Sequence, residues 1–63
     1  MTNSDEAMEI ASEYLKKSGF DEFEIKDAIN KIYKWRVEAE GPNGTFAIEI
    51  TKSDGNVIKF EHN

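Results

Sequence analysis

Few residues in this chain of 63 have types that do chemistry: one histidine, a handful of hydroxyls and 13 carboxylates. His62 is next to last, where a strand end frays and a side chain is solvated. No serine has a histidine beside it in sequence to activate it, and Ser53, within Ser53-Asp54-Gly55, fits a turn. The carboxylates could hold a hard cation, but no Asp-x-Asp-x-Asp spacing exists. There is no cysteine, hence no disulfide, thiolate zinc site or thiol nucleophile. A single histidine excludes a multi-histidine metal site. No glycine-rich loop precedes a helix, so nothing is built to cradle a phosphate. No set of residues fills the roles a catalytic site requires, and the expectation is a protein that is not an enzyme and carries no cofactor or metal.

Charge narrows the partners. Eight Lys and Arg against 13 Asp and Glu give a net charge of −5, which opposes non-specific binding to nucleic acid. No apolar stretch approaches the ~20 residues that span a bilayer. The opening Met-Thr-Asn-Ser-Asp-Glu is acidic where an export signal needs a basic start. The expectations are no nucleic acid, no membrane and no small-molecule ligand. The expected location is cytoplasmic, or extracytoplasmic if the chain is excised from a longer exported one.

The residues left to carry function are apolar, and the elements that hold them decide which are exposed. Ala7, Met8, Ile10, Ala11, Tyr14, Leu15 and Ser18 recur at three- and four-residue steps, predicting a helix over Ser4–Ser18. Asp5, Glu6, Glu9 and Glu13 sit where the helix dipole favours negative charge, and Lys16 and Lys17 where it favours positive. Asn3/Glu6 and Thr2/Asp5 both have capping-box spacing, and Gly19 with Phe20 folded back on Leu15 predicts a Schellman stop.

From Phe23 the period becomes two. Four strands are predicted, at about Glu22–Ala28, Ile32–Glu40, Thr45–Lys52 and Asn56–Glu61. In the second, Tyr33, Trp35, Val37 and Ala39 face one way and Lys34, Arg36, Glu38 and Glu40 the other. Gly41-Pro42-Asn43-Gly44 is a tight turn that pairs Glu40 with Thr45, and so Val37 with Ile48 and Trp35 with Ile50. A three-residue loop, Ser53-Asp54-Gly55, pairs Ile50 with Ile58 and Ile48 with Phe60. Between the first two strands, an odd loop or a bulge pairs Ile25 with Trp35 and Phe23 with Val37. Two apolar rows result: Phe23, Val37, Ile48, Phe60 and Ile25, Trp35, Ile50, Ile58. The opposite face carries Glu24, Arg36, Glu49 and Lys59, alternating in sign, which reads as a device for strand order.

The stretches Asp5–Ala11, Trp35–Glu40 and Gly44–Ile50, running on through Gly55–Phe60, resemble a PepSY-type domain in this order of helix and meander. That family often ends its third strand on an Asp, where this chain has Thr51 and the acid falls at Asp54. PepSY-like domains occur in protease propeptides and in secreted or membrane-attached proteins as inhibitory or interaction modules. The resemblance implies a non-catalytic binding role and supplies no catalytic residue.

The expected fold is α+β, one N-terminal helix packed on a four-stranded antiparallel meander of order 1-2-3-4, forming a single domain over residues 1–63. One helix ~10 Å wide cannot cover four strands spanning ~15–20 Å. Trp35 is expected to close part of that gap, mostly buried between Ile25 and Ile50. Ile29 and Ile32 lie outside both rows, either capping the open end of the core or forming an exposed patch for self-association or a partner. Trp35, where the helix leaves it uncovered, is a candidate partner-surface residue with them, and Val57 and Lys59 join because the fourth strand is an edge that could accept an extended peptide. The function expected is a small interaction module, peptidase-inhibitor-like as PepSY domains are. The alternative is a structural domain that homodimerises through the uncovered sheet face or an edge strand.

Overall fold

The computed structural model describes residues 1–63. Helix α1 runs Ser4–Lys17. Its start is a full capping box: the Asn3 side chain accepts from Glu6 N–H at 2.8 Å, and Glu6 Oε1 accepts from Asn3 N–H at 3.0 Å. Its end is the expected Schellman stop. Gly19 N–H donates to Lys16 O at 3.1 Å and Phe20 N–H to Leu15 O at 2.9 Å. Strands β1 (Glu24–Asn30), β2 (Lys34–Gly41), β3 (Gly44–Thr51) and β4 (Val57–His62) form one antiparallel sheet in the order β1-β2-β3-β4. The chain is therefore the α+β meander that the periodicity predicts.

The core lies between α1 and one face of the sheet. Ala7, Ala11 and Leu15 on the helix meet Val37, Ala39, Phe46, Ile48 and Ile50 on the two central strands. Residues four apart stack on one helix face, and two of these three are alanines, which bring the helix backbone close to the sheet. Aromatic rings fill the far end: Phe20 meets Phe46 edge-on at 4.9 Å, and Tyr14 lies 5.3 Å from Phe60.

The β2–β3 register is the predicted one, with Glu40 against Thr45, Val37 against Ile48 and Trp35 against Ile50. The two outer pairings differ. Gly55 has the expected positive φ, 69°, but Gly55 N–H bonds to Thr51 O and Thr51 N–H to Asn56 O, so the loop is Lys52–Gly55, one residue longer than predicted. Ile58 then bulges out of the ladder, and the register recovers at Glu49 with Lys59 and Ile48 with Phe60. Ile50 therefore faces Val57, not Ile58. Val57 packs on the core and Ile58 is 55% exposed.

On the other side, Ile25 opposes Ala39 and not Trp35, and Ala28, not Phe23, opposes Val37, after a bulge between Ile25 and Asp27. The irregularity is the expected one, but it falls inside β1 and shifts the strand. Trp35 stands against Asn30, half-buried, so it does not lie between Ile25 and Ile50. The N-terminal segment closes this end of the core. Thr2 N–H bonds to Lys52 O at 2.8 Å, and Thr2 O accepts from Trp35 Nε1 at 3.0 Å.

Candidate interaction surface

The face of the sheet turned away from α1 is an ion-pair lattice. Glu49 is only 7% exposed, and its carboxylate takes Lys34 Nζ at 2.8 Å on one oxygen and Arg36 Nη1 at 3.0 Å on the other. Arg36 also reaches Glu61 at 3.2 Å and Glu38 at 3.4 Å. The hydrogen bond from Lys34, with help from Arg36, holds the Glu49 carboxyl below its ordinary range, while partial burial opposes this. Three members of the expected charge row, Arg36, Glu49 and Lys59, line up across β2, β3 and β4. The fourth is not Glu24 but Ile29, because the β1 bulge moves Glu24 against Glu40, where Lys26 bridges both at 3.2 and 3.3 Å. Ala47, short among longer neighbours, lies in a depression of about 510 Å³ walled by Lys26, Arg36, Glu38, Glu40 and Glu61. The charges of that wall pair with one another. No three acidic or histidine side chains converge as a metal site would need, and no helix is long and apolar enough to cross a membrane.

The apolar surface that the fold leaves open is at the β1–β2 hairpin tip. Lys31 N–H bonds to Lys34 O at 3.0 Å, which closes the chain on Ile32 and Tyr33, each 82% exposed. Strict alternation would put Tyr33 on the inner face with Trp35. It sits instead outside β2 at the turn, its carbonyl accepting from Lys52 N–H at 3.0 Å. Lys31 and Lys34 flank the pair in sequence, and Lys52 is held beside it, its Nζ bonded to Asn30 Oδ1 and 4.9 Å from the centre of the Trp35 ring. Lys34 spends its charge on Glu49, whereas Lys31 has no ion-pair partner. The tip is thus two apolar side chains on a turn that carries the unpaired Lys31 and adjoins Lys52, on a chain whose net charge is −5.

The candidate residues do not form one surface. Ile32 is at the tip and exposed, not a cap on the core; Ile29, half-buried, lies next to it on the ion-pair face opposite Arg36. Trp35 is structural, tying the N-terminal segment down. Val57 is turned inward, and Lys59 is exposed on β4 with a loose contact to Glu61 at 3.9 Å. Periodicity alone does not mark Tyr33 and Ile58 as surface residues. The one signal for Tyr33 is the run Lys31-Ile32-Tyr33-Lys34, where two lysines bracket two apolar residues. Nor does it mark His62 as packed: its ring stacks on Phe46 at 4.6 Å, with Nε2 3.1 Å from Asn43 O. Comparison with protein-family models, with curated proteins and with solved structures finds no match to this chain.

Proposed function

We propose that the chain is a non-enzymatic interaction module that contacts a partner protein through the β1–β2 hairpin tip. The observation that carries this reading is the 82% exposure of both Ile32 and Tyr33 on a closed turn. An exposed aliphatic–aromatic pair gains free energy by leaving water, and tyrosine is enriched where binding energy concentrates. The positive charge of Lys31 and Lys52 near the tip favours a partner whose apolar cleft has an acidic rim. It disfavours tip-to-tip pairing of two copies, which would bring like charges together.

The resemblance to PepSY-type domains supports the narrower reading that the cleft is that of a peptidase, entered by a protruding hairpin. Inhibition of representative serine, cysteine, aspartic and metallopeptidases tests it. The expected result is inhibition of one class that Ile32→Ser and Tyr33→Ser each weaken at least tenfold, about 1.4 kcal/mol of binding, with the melting temperature unchanged. Absence of inhibition in every class overturns the peptidase reading.

A further inference from the structure

We propose that β4 is also a self-pairing edge, which adds the β4 of a second copy antiparallel about a two-fold axis through Phe60. Thr45 and Asn63 exchange both backbone hydrogen bonds, 2.9 Å each. Hydrogen-bonded and non-bonded pairs alternate along an antiparallel ladder. Stepping by two along the β3–β4 register, Glu61 and Lys59 therefore turn their backbone groups toward β3, while Phe60 and His62 turn theirs to the open side. Ile58, unpaired in the bulge and 55% exposed, precedes them. The sheet order leaves β4 without a neighbour on that side.

The side chains then choose the register. With Phe60 opposite the partner's Phe60, the two exchange both backbone bonds. Lys59 faces the partner's Glu61, and Glu61 faces the partner's Lys59. These fall at non-bonded positions, where Cα atoms approach to ~4.5 Å and side chains interact most. Moving the axis to Lys59 puts lysine against lysine, and moving it to Glu61 puts glutamate against glutamate. An axis between two residues would match inward side chains with outward ones. Only the register at Phe60 is charge-complementary. The other edge, β1, offers no equivalent run, because its bulge falls mid-strand between Ile25 and Asp27. A single added ladder buries little area, so the dimer belongs to the weak, transient class. This surface is the free backbone edge of β4, distinct from the turn that forms the hairpin tip, and its failure leaves the partner contact proposed above standing.

Sedimentation equilibrium across a concentration series tests the proposal, at about 0.15 M salt so that the repulsion between net charges is screened beyond ~8 Å. The expected result is a concentration-dependent dimer. Lys59→Glu and Glu61→Lys each weaken it about tenfold or more, since two attractive pairs become repulsive. An equimolar mixture of the two variants restores association as a heterodimer, because each variant now opposes its complement. His62→Pro, which removes an outward N–H without touching the charge pair, weakens it too and serves if a charge variant fails to fold. A monomer at millimolar concentration overturns the proposal. So do single variants that associate like the parent, or a mixture that stays monomeric.

Discussion

Glu49 sits on the solvent side of the sheet yet is nearly closed off, with only 9% of its side chain exposed, because Lys34 and Arg36 lie over it. Its carboxyl is held below the ordinary value of 4.5 by the hydrogen bond from Lys34 and then that from Arg36. A carboxylate with a depressed folded-state pKa adds stability above its unfolded pKa and loses it as pH falls through the folded value. Glu49→Gln should therefore cost about 1–2 kcal/mol at pH 7. The variant and parent melting curves should converge as pH drops below about 4.5. Melting temperatures measured from pH 7 to 2 check this; a constant gap between the two proteins would mean that the ion pairs around Glu49 contribute nothing. The Arg36–Glu49–Lys59 row is legible in the alternation of charge along the sequence. The depth of Glu49 is not, because it depends on how long side chains from one strand lie over the next.

The elements differ in how much of them the residues reveal, and the reason is local. The register of the β2–β3 hairpin is read correctly because a Pro-containing turn and an alternation of apolar residues independently demand it. Gly44 has φ 124°, and a Cβ there would lie 1.8 Å from Asn63 O. Gly44→Ala should thus cost about 2–4 kcal/mol, combining backbone strain with a clash against the chain end that follows β4. A thermal melt within a degree of the parent would contradict the hairpin geometry. The helix is legible too: its stop is written in Gly19 and Phe20, and Asn3/Glu6 is one of the two capping boxes that the sequence offers. The outer strands are not. One loop residue more and one bulge residue at Ile58 nearly cancel, so Ile48 still meets Phe60 while Val57 and Ile58 exchange faces. On β1 the bulge breaks the two-residue period, and the tip at Ile32-Tyr33 has no Gly, Pro or Asn of its own to mark it. The candidate surface is half legible for that reason: Ile29 and Ile32 stand out as apolar residues without a row, while alternation absorbs Tyr33 into a strand that it does not join.

At the scale of the whole molecule, surfaces divide by chemistry. One sheet face is covered by α1, the other by paired charges, and no buried side-chain polar atom lacks a partner. Apart from Met1, the large hydrophobic side chains left exposed are Ile32, Tyr33 and Ile58, two at the hairpin tip and one at the β4 edge. The molecule is elongated, 31 Å by 18 Å by 18 Å, a shape suited to presenting a tip. The partner contact proposed for this tip can be trapped covalently. The most direct measurement places a photo-cross-linking phenylalanine analogue at Tyr33 and, separately, at the helix position Glu13, in cells that make the chain. One adduct is expected from position 33, absent from position 13 and diminished when Lys31→Glu is added. No adduct from position 33, or the same adduct from both positions, would contradict a partner contact at the tip.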